Sequence, residues 1–387
     1  MRYAGRSRPA RRTRKPSGNS SRKSSISSNS VSFAAARAER ESEKPRNLRW
    51  PGLLGLAISA LLLWWTLHDV EFRDVVERAR QARWWPFAGA LVVATLTFPL
   101  RTVRWRLLLT QNGAPLPVIP LWHATAIGFM ANNLLPARAG EFARAYAARR
   151  LVGVRFTAAF GSVAVERVLD GIVLVALLGL AIAAGGLPGD ATVGGMALTD
   201  IATVALLVFG AALGMALIVV HWPGPARSLV RGTLGRVLPA RAYTSLTRML
   251  DGLLAGLDSL KSARRFGLVT IWSLVLWVTG AASYWLGFQA FGLDVPWSGA
   301  VLLQSLVAFG VAIPSSPGFF GPFEAVTRAT LALYAVPVAA AVSFAVAYHL
   351  AAFIPISLLG LWSLSRAHLH MADLRASAKV EEGAPEA

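Results

Sequence analysis

The sequence predicts an all-α polytopic membrane protein, and three observations predict it. Only 15% of its 387 residues are charged, against about 25% in soluble domains. Mean hydropathy is +0.50. Uncharged runs cover 50–67, 201–226, 267–293, 295–323 and 329–365, and crossing a hydrocarbon core takes about 20 apolar residues.

Residues 1–49 stand apart. They hold 14 Lys or Arg against three Glu, so +11 of the net +19 lies there. This Ser-rich segment is expected to be a disordered cytoplasmic tail, because it cannot bury enough surface to offset its chain entropy. Tethered to a bilayer, it should lie against anionic lipid headgroups; no nucleic acid is expected as a partner. The first apolar run starts only at residue 50, so it is expected to stay as an anchor and not to be a cleaved signal.

The remaining elements follow from Lys/Arg counts in short loops. With the tail inside, 50–67 runs outward and 84–100 returns, placing Arg101, Arg104 and Arg106 in the cytoplasm. Arg138, Arg144, Arg149, Arg150 and Arg155 also belong inside. Both ends of 118–137 then face the cytoplasm, which a single crossing cannot satisfy. A re-entrant hairpin broken at Pro136 does. Residues 156–184 exit to 185–200, a stretch without Lys or Arg. Residues 201–220 return to a loop with eight Lys or Arg between 227 and 265, and 267–291 exits again.

Arg366, Arg375 and Lys379 want the cytoplasm, and 337–364 supplies that crossing. The stretch 297–334, broken by Pro314, Pro317, Gly318, Gly321 and Pro322, must then start and end outside. The expectation is about six full spans plus two broken hairpins entering from opposite faces, as an inverted repeat gives. Two short spans per hairpin, eight spans in all, keep the same parity. One loop departs from the scheme: 68–83 is assigned outside yet carries four Arg. The domains are thus 1–49, a membrane domain 50–365, and a short cytoplasmic tail 366–387.

Matched Gly/Pro interruptions in two halves of a membrane protein point to a transporter's binding site. Between them lie the embedded charges Glu166, Arg167 and Asp170. Glu166 falls about 16 Å past Arg155, near the middle of a ~30 Å core, where a charge must face protein or water. These three form either a site for a charged headgroup or coupling ion, or an ion-pair knot that pins helices, with Arg167 as the nearest cation. Glu141 with Arg144 follows the first break, and Glu324 with Arg328 the second. Each Glu could instead cap the helix after its turn. Arg138 beside Gly140 suits a phosphate. Asn132 and Asn133 suit a ligand or opened backbone groups equally. His349 reads as hydrogen-bonded packing more than as a proton relay.

No Walker A loop or HExxH is present, and Ser315-Ser316 lacks a nearby His/Asp pair. The chain has no Cys. No catalytic residue, metal or cofactor is expected.

Three segments carry a resemblance: Asn133-Leu-Leu-Pro-Ala-Arg-Ala-Gly-Glu141, Val165-Glu-Arg-Val-Leu-Asp170 and Pro314-Ser-Ser-Pro-Gly-Phe-Phe-Gly-Pro-Phe-Glu324. Over 50–365 the chain resembles the lysylphosphatidylglycerol synthase transmembrane, or flippase-like domain, family. The likeness implies a bacterial or archaeal cytoplasmic-membrane protein that moves an amphipathic lipid between leaflets. It matches Asn133, Pro136, Arg138, Gly140 and Glu141 to the first motif, and Glu166, Arg167 and Asp170 to the second. Pro314, Pro317, Gly318, Gly321 and Glu324 match the third. Relatives often carry a further Gly after Gly318, where this chain has Phe319-Phe320.

The chain is therefore expected to be a lipid flippase, phospholipid or polyprenyl-linked, and not an enzyme; the synthase domain of two-domain relatives is expected to be absent. Arg138, Arg167 and Arg328 would capture the headgroup, with Glu141, Glu166, Asp170 and Glu324 as counter-ions or proton carriers. The rival readings are a scaffold of an envelope-synthesis complex and a polyprenyl-phosphate glycosyltransferase using Asp69 and Glu71 of the first outer loop. A homo-oligomer is compatible with either.

Overall fold

A computed structural model describes residues 49–111, 114–136, 138–184, 191–222, 262–312 and 315–374, with isolated positions between 224 and 247. The basic tail 1–48, most of the basic loop 227–261, Ala137, Pro314 and 375–387 lie outside the described residues. The fold is all-α. The elements are α1 (Arg49–Leu67), α2 (Phe72–Gln81), α3 (Trp84–Leu108), α4 (Val118–Leu134), α5 (Gly140–Val152), α6 (Phe156–Ala184), α7 (Leu198–His221), α8 (Ala263–Phe291), α9 (Trp297–Gly310), α10 (Pro322–Ala332) and α11 (Val338–Arg366). Two-residue β ladders close the turns at Thr110–Gln111 and Thr192–Val193.

Five described helices (α3, α6, α7, α8 and α11) are long and apolar enough to cross a membrane. No residue of the apolar window of α7 is fully buried among the described residues, although Phe209 packs against Gly171 of α6 and stacks on Phe309. Short helices pack in pairs on either side of the two Pro/Gly breaks. α4 packs on α5 and α9 on α10, each pair joined by an irregular break. Their 17-, 13-, 14- and 11-residue arms are about 25, 20, 21 and 17 Å long at 1.5 Å per residue, all short of a ~30 Å core.

The order span, hairpin, span therefore occurs twice, as α3, α4–α5, α6 and as α8, α9–α10, α11. Packing is reciprocal: α3 lies along α8, α4 along α11, and α9 along α6. Trp105, Ile127 and Ala147 lie in the first half's core, and Phe288, Leu303 and Phe344 in the second's. A third apolar cluster, with Leu178, Leu276 and Leu302, ties the halves together.

Two sequence expectations are corrected. The helix expected to end at residue 100 continues as α3 to Leu108, because Trp105 and Leu108 are buried and Pro99 is accommodated within the helix. Arg104 is thus fully buried in the bundle and cannot count as a cytoplasmic loop charge. The Arg-rich loop 68–83 is largely the amphipathic helix α2. It buries Val75 against α11, where Ser343 Oγ donates to the Val75 carbonyl at 2.8 Å, and leaves Arg73, Arg78 and Arg80 exposed.

The second break is built around Gly321. Its φ of +98° suits only glycine. A Cβ there would lie 2.5 Å from the Ser59 carbonyl oxygen, because α1 crosses the break through Gly55 and Ser59. Ser59 Oγ also accepts from the Ser316 N–H at 2.8 Å. Gly321→Ala is expected to cost about 1–3 kcal/mol, seen as a lower melting temperature in detergent. Gly210→Ala, where nothing lies within 4 Å of the added methyl, should be neutral or mildly stabilising.

Candidate functional site

The first break positions the site. Leu135 ends α4, and Arg138 holds a left-handed φ of +55°, so the chain turns sharply into α5. The two arms touch backbone to backbone: a Cβ at Gly140 would overlap the Gly128 carbonyl. Asn132 Oδ1 accepts the Gly140 N–H at 2.8 Å, supplying an opened backbone group at the start of α5. Asn133 points elsewhere, donating to Ser357 Oγ at 3.0 Å on α11.

The second break meets the first. Arg138 Nη2 donates to the Val311 carbonyl at 2.9 Å, and its guanidinium sits 5.8 Å from the Phe319 ring centre. Phe319 itself has φ +63°. The chain thus holds a phenylalanine in a conformation that favours glycine, and the ring walls the Arg138 side. Pro317 and Gly318 form the 3₁₀ turn beside it.

Behind the breaks lies one continuous charge network. Glu166 on α6 is fully buried and receives Arg104 at 2.9 Å, Arg144 at 3.0 Å and Arg167 at 3.3 Å. Asp170, one turn on, takes both Nη atoms of Arg104 and the Trp277 indole N–H. Arg104 Nη1 also reaches Ser273 Oγ at 2.9 Å. Arg144 stacks 3.9 Å over Trp105, whose indole donates to Ser162 Oγ. Arg104, Arg144, Glu166 and Asp170 thus tie α3, α5, α6 and α8 together.

A second shell of charge is more open. Glu141 lies 3.8 Å from Arg138 and 3.6 Å from Arg167, and these three side chains are 23–33% exposed. Arg101 lies deeper, its guanidinium between Phe129 and Trp277 at 4.9 and 5.1 Å and within electrostatic reach of Asp170 and Arg167. Buried guanidinium nitrogens of Arg101, Arg138, Arg144 and Arg167 have no hydrogen-bond acceptor within the described protein. A cluster of arginine donors, partly exposed at Arg138 and Arg167, is suited to an anion.

Of the predicted residues, Arg138, Glu141, Arg144, Glu166, Arg167 and Asp170 come together, with Pro136 and Gly140 shaping the turn. Pro314 lies outside the described residues. Glu324 and Arg328 have other partners. Glu324 Oε2 accepts the Gly321 N–H at 2.7 Å, the capping role weighed for it, while Oε1 meets His349 Nδ1 at 2.6 Å. Arg328 forks onto Asp69 and donates to the Trp65 and Thr66 carbonyls. Arg167 is not the nearest cation to Glu166; Arg104 and Arg144 are nearer. Sequence reasoning missed Arg101 and Arg104. Their spacing of three, followed by Leu107, Leu108 and Leu109, was the available sign of a helix continuing past Leu100.

Residues 52–360 match the family described as Lysylphosphatidylglycerol synthase TM region, and the chain belongs to that family. It is 31% identical over 288 residues to Glycosyltransferase AglD of Haloferax volcanii, an alignment covering 68% of this chain and 46% of that protein. The chain thus spans about half the length of that relative. It is 24% identical over 319 residues to a UPF0104 membrane protein of Methanothermobacter thermautotrophicus, covering 79% of this chain and 89% of the relative. The expectation that the chain is not an enzyme is corrected here: a relative at 31% identity is named a glycosyltransferase, so the missing catalytic motifs do not place the chain outside enzyme chemistry.

Two expectations follow. Arg104→Ala strips a bidentate partner from Asp170 and a cation from Glu166, which in a buried pair costs about 3–5 kcal/mol; monodisperse protein should be lost on size-exclusion. Arg167→Ala leaves Glu166 with Arg104 and Arg144 and should keep the fold. A collapse confined to Arg167→Ala would reverse the assignment of buried and rim roles.

The Arg328 pair predicts a pH effect. Hydrogen bonds from Arg328 hold the Asp69 carboxyl below its usual range, with burial opposing and the charge of Arg328 assisting. A lowered folded pKa stabilises above the unfolded value of about 3.9 and is lost as pH falls through the folded value. Asp69→Asn should therefore melt earlier than the parent at pH 6–7, and the two melting temperatures should converge below about pH 3.

Proposed function

We propose that this family member binds the anionic headgroup of an amphipathic lipid at the arginine pocket and passes the lipid between leaflets of the cytoplasmic membrane. The observation that carries the reading is the cluster of arginine donors left without hydrogen-bond acceptors among the described residues, beside the point where Arg138 of the first hairpin reaches the second. Backbone opened within a membrane is tolerated only against protein or a wet cavity. Two breaks touching each other, with a cationic pocket behind them, fit a headgroup path. In this reading the hairpins are re-entrant and enter from opposite faces, and both termini are cytoplasmic, as the Lys/Arg distribution between 185–200 and 227–265 supports. The acyl or prenyl chains stay in lipid.

A second reading has one observation in its favour, the glycosyltransferase name of a relative at 31% identity. There the same pocket would hold a lipid phosphate for glycosyl transfer. Both readings need the headgroup site, and they part at the product.

The test is a reconstitution. Proteoliposomes containing a fluorescent anionic lipid are scored for leaflet exchange, with an impermeant maleimide on a Thr192→Cys variant reporting orientation. Parent protein should accelerate exchange, and Arg167→Lys should fold and lose most of it, since an ammonium cannot replace a bidentate fork. Unchanged exchange in Arg167→Lys would sink the headgroup role of Arg167. Exchange no faster than in empty vesicles, with sugar transferred to the lipid from a supplied nucleotide sugar, would favour the second reading.

A further inference from the structure

The charges of the pocket divide into two sets. Arg104 and Arg144 face Glu166 and Asp170, so the buried set sums to zero. The more open set is Arg138 and Arg167 against Glu141; with Arg101, held between Phe129 and Trp277, that is three positive charges against one negative, which leaves +2. The buried set is neutral because it must be: uncompensated charge in a dry interior costs several kcal/mol. Arg167 also reaches Glu166 at 3.3 Å, so the two sets touch, but the surplus stays at +2 over the eight groups, and Arg101 Nε and Nη1 and Arg138 Nε are buried donors that have no hydrogen-bond acceptor among the described residues. Arg144, only 2% exposed, adds Nε and Nη2 to those donors from below.

We propose that the pocket selects a dianionic phosphate monoester headgroup over a monoanionic phosphodiester. This rests on the reading of the pocket as a lipid headgroup site and adds the class of headgroup. A monoester dianion neutralises the +2 surplus and offers three acceptor oxygens to the separated donors. A phosphodiester leaves one surplus charge and has two free oxygens. The α5 N-terminus, at Gly140 beside Arg138, adds its own preference for negative charge.

The monoester loses its second charge near pH 6, whereas the eight protein groups are Arg, Asp and Glu, which ordinarily titrate below about 5 or above about 12. Selectivity should therefore follow the ligand's own ionisation. The full chain in phosphatidylcholine nanodiscs is titrated with dodecyl phosphate, with dodecyl methyl phosphate and with inorganic phosphate, at pH 8 and pH 5, by thermophoresis. Dodecyl phosphate should bind at least about tenfold tighter than the diester at pH 8 and lose that advantage at pH 5. Arg138→Gln, which lowers the surplus to +1, should erase the preference at pH 8 while diester binding persists. Equal binding of the two amphiphiles at pH 8 would overturn the dianion assignment and leave the lipid reading standing. Binding of neither amphiphile would overturn both. Inorganic phosphate binding as tightly as dodecyl phosphate would make this a soluble-anion site and remove the lipid from it.

Discussion

The fold depends on compensating two carboxylates buried in an apolar bundle. Glu166 and Asp170 lie one turn apart on α6, and neither can remain charged there without cations brought from other helices. Arg104 comes from α3, Arg144 from α5, and the Trp277 and Ser273 donors from α8. Because α3 and α8 are the equivalent spans of the two halves, the carboxylates fix how the halves meet. Apolar packing alone would do this poorly, since in lipid it offers little preference for one helix neighbour over another. The ion network supplies the specificity, and the small residues of the hairpins let the backbones close around it.

That arrangement leaves the breaks free to do something other than hold the bundle together. Arg138 adopts a left-handed backbone, and its side chain reaches across to the Val311 carbonyl of the other hairpin. A guanidinium has five donors, so one bond to a carbonyl leaves most of them for a ligand. The contact is thus both a latch between hairpins and a polar rim. Anything that draws Arg138 toward an anion competes with the latch. In the proposed reading, headgroup binding and hairpin separation would be coupled through this one side chain, as a carrier requires.

Much of this was legible in the sequence, and the failures share a cause. Uncharged runs marked the five long apolar helices, and Pro136 with Pro317, Gly318 and Gly321 marked the two breaks, because backbone chemistry at those residues is local. Glu166, Arg167 and Asp170 announced themselves as charges too deep to ignore. Which cation serves which carboxylate was not legible, because that is decided by helices far apart in sequence. Arg104 is 66 positions from Asp170. It was counted as a loop charge because a positive-inside tally treats every Arg near an apolar run as solvated. Arg328 misled in a similar way: its i,i+4 spacing from Glu324 suggested a pair, yet it forks onto Asp69, and Glu324 turns to Gly321 and His349.

The two halves repeat an order of elements without repeating a chemistry. The first hairpin contributes charge: Arg138, Glu141 and Arg144 all enter the network. The second contributes shape. Its acid is spent on capping α10, and Phe320 and Phe323 pack on His349 behind it. What it presents to the first hairpin is a carbonyl and the Phe319 ring. A glycine at 319 would relieve the left-handed strain, of order 1 kcal/mol or more for a bulky side chain, but would remove the ring beside Arg138. A ring beside a guanidinium keeps water from one side of it and strengthens its pull on an anion from the other. The strained phenylalanine thus makes sense as the wall of a cation site, and the asymmetry between the hairpins makes sense as a division between the half that holds the charge and the half that encloses it.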